Sequence, residues 1–216
     1  MKKQDLLVKL GMVGPFENYE PNSEAKLWGW NGIGPIFAGM VNEIKPALVI
    51  EVGSWMGQSS VSLAAALKEQ GLVDSTLICV DTWLGSKEHW TEVDLRAHLG
   101  LEHGYPTFYF NYLSNIANAG VSEHVFPLPL PSQIAAEYLK THGLMAELIY
   151  LDASHQEKDV YNDLQSYWQL LSAGGMMFGD DYDDTGVSQA VLAFSAEIGA
   201  PVGVSGINWF IRKRSV

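Results

Sequence analysis

Short, almost wholly apolar runs alternate along the chain with segments whose apolar residues recur every three or four positions. The runs are ALVIEV at 47–52, TLICVD at 76–81, VFPL at 125–128, LIYLD at 148–152 and MMFG at 176–179. Runs of this length without polar alternation suit the central strands of a parallel sheet, buried on both faces. Helical patterns fall between them, over 58–70, 132–142 and 156–172. In the last of these Val160, Leu164, Trp168 and Leu171 form one apolar stripe. Such strand–helix alternation predicts an α/β sheet with crossover helices.

The end of the chain breaks the alternation. After a helical pattern over 186–199, residues 201–204 and 209–212 are strand-like, with only SGIN at the turn between them. A parallel crossover needs about a dozen residues, so these two strands form an antiparallel hairpin. The expected fold is α/β and Rossmann-like: a mostly parallel seven-stranded sheet with a C-terminal antiparallel hairpin, in a single domain over 1–216. Residues 1–33 read as an N-terminal cap segment. Residues 82–110 are aromatic and strandless, and read as an inserted lid. Their rings have no evident core stripe to join, so this segment is expected to move.

Composition narrows the partners. The 216 residues are 47% hydrophobic and carry a formal charge of −12, which disfavours nucleic-acid phosphates and anionic membranes. The lone cysteine, Cys79, excludes an internal disulfide and a Cys-built zinc site, and its apolar run marks it as a buried, inert thiol. The start of the chain lacks a sustained apolar stretch and no run approaches a membrane span, so the cytoplasm is the expected location. A small-molecule partner is expected, and the sequence leaves room for a homo-oligomer.

The most informative segment is EVGSWMGQSS, 51–60. Gly53 and Gly57 bracket a strand-to-helix turn, where absent side chains let a ligand approach the backbone and free helix amides face a negative group. The spacing E-x-G-x-x-x-G lacks the close glycine pair of a dinucleotide fingerprint, so a carboxylate suits it better than a pyrophosphate. An ordinary tight turn remains the alternative at this point. Asp81, ending the second strand, can accept both hydroxyls of a ribose; it can also be a turn former.

Taken together, IEVGSWMGQSSVSLA, ICVDTW, PSQIAAEYL, IYLDASHQ and GGMMFGDDYD, in that order and spacing, resemble metal-dependent O-methyltransferases. These are class I S-adenosylmethionine-dependent enzymes of the catechol and macrocin-type sugar kinds. The resemblance runs from about Gly34 to the C-terminus. It implies that Glu51, Gly53, Ser54 and Ser59 face the methionine half of S-adenosyl-L-methionine, with Trp55, Gly57 and Thr82 also in the cofactor site. It implies Asp81 for the ribose, and Ser132 and Gln133 for the adenine. Asp152, Asp180 and Asp181 fall on the metal-ligand positions, for Mg²⁺ or else Mn²⁺ or Ca²⁺, with Asp152 also beside the cofactor. His155, with Asp152, falls on the catalytic positions, and His155 stands where the family places its base. The catechol enzymes have an asparagine at the third ligand position, where this chain has Asp181.

That chemistry is coherent. Methyl transfer from a sulfonium needs an oxygen stripped of its proton, and a divalent cation with a nearby base provides one. Adjacent parallel strands lie about 4.8 Å apart, so carboxylates ending the fourth and fifth strands can meet. The acidic run 180–184 is otherwise a solvated loop. His89, His98 and His103 fall in the insertion and lack the i, i+4 pairing of a helical metal site. The competing functions are a non-catalytic sensor of the same cofactor, a nucleotide-dependent oxidoreductase and an iron site for oxygen chemistry.

Overall fold

The apolar runs become strands of one sheet in the computed structural model, which describes residues 1–215. In chain order the elements are α1 (Lys3–Leu10), α2 (Pro35–Ile44), β1 (Leu48–Val52), α3 (Gln58–Glu69) and β2 (Thr76–Val80). Two short helices follow, α4 (Lys87–Thr91) and α5 (Val93–Arg96), with a 3-10 turn at Ala97–Leu99. Then come α6 (Phe108–Asn118), β3 (Val125–Leu128), α7 (Ser132–Thr141), β4 (Ala146–Leu151), α8 (Glu157–Trp168) and β5 (Leu171–Gly179). The chain ends with α9 (Thr185–Ile198), β6 (Gly203–Ser205) and β7 (Asn208–Arg212).

The strand order is β3-β2-β1-β4-β5-β7-β6. β1 to β5 run parallel, while β7 pairs antiparallel with β5 and β6 antiparallel with β7. This is the expected seven-stranded sheet with its terminal hairpin. Pro127 is tolerated in β3 because that strand is an edge and one side of it needs no ladder donor. Among the described residues no helix is long and apolar enough to cross a membrane.

Period-two alternation divides the core. Leu48, Ile50, Val52, Ile78 and Val80 face one side, where α1, α7, α8 and α9 pack. Val49, Leu77 and Cys79 face the other, under α2, α3 and α6. Glu51 falls on this second side by the same alternation, which puts a carboxylate into an apolar layer.

The structure departs from the sequence expectations in three places. β5 starts at Leu171, not 176, because Gly174 (φ +82°) and Gly175, whose Cβ would lie 2.8 Å from the Glu147 carbonyl, let the strand shift register and extend. Leu171 therefore belongs to a strand, and α8 stops at Trp168. The insertion also joins the core: Trp83, Leu99 and Phe108 are buried there, so its rings do have a layer to enter.

At the carboxyl end of β1 the chain turns at Gly53 with φ +89°, and a Cβ there would sit 2.0 Å from the Asp152 carbonyl oxygen. Gly53→Ala should therefore lose about 3 kcal/mol or more in urea unfolding, since backbone on both sides must move. Gly71 also has positive φ (+68°) but nothing within 4 Å, so Gly71→Ala should cost only about 1–2 kcal/mol. Equal losses in the two variants would show that the close approach does not govern the cost.

Candidate active site

Two groups of predicted residues meet at the carboxyl edge of β1, β2, β4 and β5. The first is the β1–α3 turn. Ser54 and Trp55 donate their backbone N–H groups to one oxygen of Asp81 at 3.0 and 2.9 Å, and Trp83 N–H donates to the other at 2.8 Å. Asp81 thus ties the turn to the start of the insertion. Trp55 itself has φ +46°, a conformation costly for an aromatic residue and held here by those bonds. Gly57 (φ +93°) leaves α3 without a side-chain cap, and its missing Cβ makes room for the Tyr112 ring. Thr82 accepts from the Leu84 N–H.

Glu51 is fully buried beneath the turn. Ser54 and Ser60 donate hydroxyls to its Oε2, Ser59 lies beside it, and Oε1 has no partner. Burial raises its pKa above the usual carboxylate range, and the serine hydroxyls counter that. Cys79 next to it is buried, with its thiol pushed up by the same desolvation and then by Glu51.

The second group gathers at the ends of β4 and β5. Asp152, His155 and Asp181 present ligand atoms within 4.8 Å of one another. Asp180, predicted to join Asp152 and Asp181, lies outside this group. It is buried and accepts from Asn208 Nδ2 at 3.0 Å, although it lines the same cleft as Asp152, His155 and Asp181. His155 takes the third place instead, its Nε2 2.9 Å from Asp181 Oδ2.

Like charges crowd this cleft. Asp152 is held well above the usual range by burial and then by Asp181 and Asp180, although the Tyr150 hydroxyl donates to it at 3.0 Å. Asp180 is pushed up to about 6, first by burial. His155 moves up to about 9, first through its hydrogen bond to Asp181.

Ser132 and Gln133, predicted for adenine, open α7 across from α8. Gln133 Nε2 donates to Asp163 Oδ1 at 2.6 Å and its oxygen accepts from Ser166. The Ser132 carbonyl accepts from the Tyr167 hydroxyl. Asp163, which the sequence reading missed, is buried and lines the same cleft as Asp152 and His155. Its signal was present: it is a carboxylate on the apolar face of α8, beside Val160, Leu164 and Tyr167. The N-terminal segment was missed as well. A Cβ on Gly32 would lie 2.8 Å from the Ser59 nitrogen, Gly32 N–H donates to Gln58, and Ser62 donates to the Gly32 carbonyl, so residues near 32 cross the start of α3.

Residues 50–182 match the family model described as a methyltransferase domain. The chain belongs to this methyltransferase family. No curated protein matches it in sequence. Among solved structures, the O-methyltransferase NovP superposes with a TM-score of 0.65 at 16% identity, over 83% of this chain and 78% of its own. TomG of Streptomyces achromogenes, an O-methyltransferase of tomaymycin synthesis solved with S-adenosylmethionine, gives 0.60 at 15% over 90% and 83%. An O-methyltransferase of Bacillus cereus, solved with S-adenosylhomocysteine, gives 0.57 at 15% over 99% and 93%. At these identities the likeness is one of fold.

The ion pair gives a direct test. By NMR His155 should titrate well above 6.5, near 9, and Asp181→Asn should bring the midpoint back toward 6.5. Because the folded value is raised, the pair stabilises the fold fully below about pH 6.5 and loses that contribution as pH rises through about 9. The His155 side chain is 57% exposed, so the effect on stability is small. An unchanged midpoint in Asp181→Asn would show that the two side chains do not pair in solution.

Proposed function

We propose that this methyltransferase moves the methyl group of S-adenosyl-L-methionine to a hydroxyl oxygen of a small phenol- or sugar-type molecule, aided by a divalent cation. One observation carries the reading. The β1 turn and the Asp152 cluster are fixed against each other at Gly53, so a donor on the turn and an acceptor at the cluster share one sheet edge. The cofactors bound by TomG and by the Bacillus cereus enzyme on the same fold support the choice of donor.

In this reading Gly53, Ser54, the Trp55 backbone, Gly57 and Ser59 surround the methionine portion, with Glu51 bracing the turn from below. Asp81 keeps one lone pair, on Oδ1, and with Thr82 faces the ribose. Ser132 and Gln133 border the adenine. A cation fits the donor set: Asp152 and Asp181 offer hard oxygens, and Asp152, raised first by burial and then by repulsion from Asp181 and Asp180, is a group that a nearby positive charge would bring back down. Asp180, engaged by Asn208, is a weaker third ligand than the sequence suggested. Bound there, Mg²⁺ or Mn²⁺ would stabilise the oxyanion formed on the acceptor.

His155 faces solvent at the mouth of the cluster and is positioned to take the hydroxyl proton at Nε2. It does so in its neutral form, and Asp181, which holds it protonated in the free protein, is also a cation ligand. Asp152 orients the site from beneath, fixed by Tyr150.

Calorimetric titration with S-adenosylhomocysteine, joined to a methylation screen over phenols and deoxysugars, tests the proposal. Binding should weaken by about 10- to 100-fold in Asp81→Ala, the scale of bonds to a charged group. A chelator should silence turnover until Mg²⁺ or Mn²⁺ is restored, and Asp181→Ala should need more metal. His155→Ala should keep cofactor affinity and lose about 10²–10⁴-fold in turnover. Full activity in excess chelator would remove the cation from the scheme, and unchanged affinity in Asp81→Ala would remove Asp81 from the cofactor site.

A further inference from the structure

Over the β1 turn lies a roof of rings that the proposed chemistry leaves without a task. Trp28 stacks on His98 with centroids 4.3 Å apart and planes 17° apart, and Trp30 lies 4.3 Å from Trp28. Trp55 on the turn is 4.1 Å from the His89 ring and 4.6 Å from Phe108. The roof therefore joins the N-terminal segment to the insertion directly above the proposed donor site. Trp30 is 53% exposed and makes no side-chain hydrogen bond among the described residues, so rings alone hold it in place.

Beneath these rings two polar atoms are stranded. Trp55 Nε1 and His89 Nε2 are both buried without a hydrogen-bond partner. His89 is 7% exposed, and its Nδ1 accepts from the Ser86 backbone N–H at 3.2 Å, which places the proton of the neutral ring on Nε2. Burial favours that neutral ring, holding His89 below its ordinary value. Both stranded atoms are therefore donors, in neighbouring rings. A buried unpaired donor is destabilising, and two in neighbouring rings point to a ligand oxygen that completes them.

We propose that Trp55 Nε1–H and His89 Nε2–H form the polar end of the acceptor pocket and bind an oxygen of an uncharged, flat-ring acceptor. The acceptor's ring displaces Trp30 and lies against the Trp28–His98 stack. This inference rests on the methyl-transfer reading above. Charge selection follows from the surroundings. Glu88, Asp81 and Glu92 act on His89 against a single imidazole, His98, so an anion is repelled. Two N–H donors pointing at the ligand repel a cation, despite the rings around it.

Four matched catechols separate the possibilities by calorimetry on the full chain at saturating S-adenosylhomocysteine. They are 3,4-dihydroxybenzaldehyde (neutral, with a carbonyl), catechol (neutral, without one), 3,4-dihydroxybenzoate (anionic) and dopamine (cationic). The aldehyde should bind at least about 10-fold tighter than the other three, the value of one to two completed hydrogen bonds. His89→Phe keeps a ring and removes the donor, so it should reduce the aldehyde to the level of catechol and leave catechol and S-adenosylhomocysteine unchanged. Trp30→Ala, at an exposed position, removes the ring that the acceptor displaces and should tighten the aldehyde and catechol alike. Tighter binding of benzoate or dopamine, no binding of the aldehyde, or an equal loss for catechol and aldehyde in His89→Phe would overturn the inference. Weaker S-adenosylhomocysteine in His89→Phe would also overturn it, by giving the donors to the cofactor. If the wild type fails to bind S-adenosylhomocysteine at all, the methyl-transfer reading falls too; if it binds and the aldehyde does not, only the acceptor pocket falls.

Discussion

The passage of Gly53 over the Asp152 carbonyl is the contact on which the arrangement of this site depends. It lies where β1 and β4, parallel neighbours, both leave the sheet, and the ladder runs up to it through Asp152 N–H donating to the Val52 carbonyl at 2.8 Å. A side chain at 53 would drive the strands apart at the point where donor and acceptor have to face each other. Without one, the turn drops low enough for Asp81 to gather the Ser54 and Trp55 amides. Asp152, whose backbone makes the contact, is thereby set at a fixed height relative to that turn.

Holding this geometry costs stability elsewhere. Glu51 is a carboxylate in an apolar layer with one oxygen unpaired, and Asp152, Asp163 and Asp180 are each displaced upward by burial. Groups with raised carboxylate pKa values oppose folding at neutral pH, because ionising them in the folded state is harder than in the unfolded chain. The expense falls on the carboxyl edge of the sheet, whereas the opposite ends of the strands carry apolar core. A fold selected for stability alone would place leucine or asparagine at several of these positions. Their clustering at one edge is what a site for charge-stabilising chemistry requires.

Much of this was legible in the sequence, and the reasons are local. Buried parallel strands show as unbroken apolar runs, and the turn 205–208 was too short for anything but a hairpin, so sheet and topology could be read directly. The glycine turn and the two carboxylate positions stood at strand ends, which spacing also reports. What spacing could not report was pairing. Asp180 and Asp181 are adjacent and both line the cleft, and only the folded chain shows that Asn208 engages the first while His155 meets the second. The roof was hidden for another reason: Trp28 and His98 are seventy residues apart, and their stack exists only because α2 and α6 lie on the same face of the sheet. The helices α1, α2 and α6 went unread because each is short or lies beside a segment taken as loop.

The strand order explains why such distant pieces converge. From β1 the chain moves outward to β2 and β3, then returns across the sheet to β4 and β5. The loops leaving β1 and β4 therefore turn to opposite sides and open a crevice between them, the place where ligands bind open α/β sheets. The glycine turn, Asp81 and the insertion come from the outward half; Asp152, His155 and Asp181 come from the returning half. A donor bound on one half and an acceptor held by the other meet over the crevice, and only a third element can close it from above. Residues 28–32 supply that element, reaching Gln58 and Ser62 on the outward half, the insertion through Trp28, and Asp180 on the returning half through Asn31. The N-terminal segment thus reaches both halves of the site from above, which is why acceptor selection is best sought in the rings it brings.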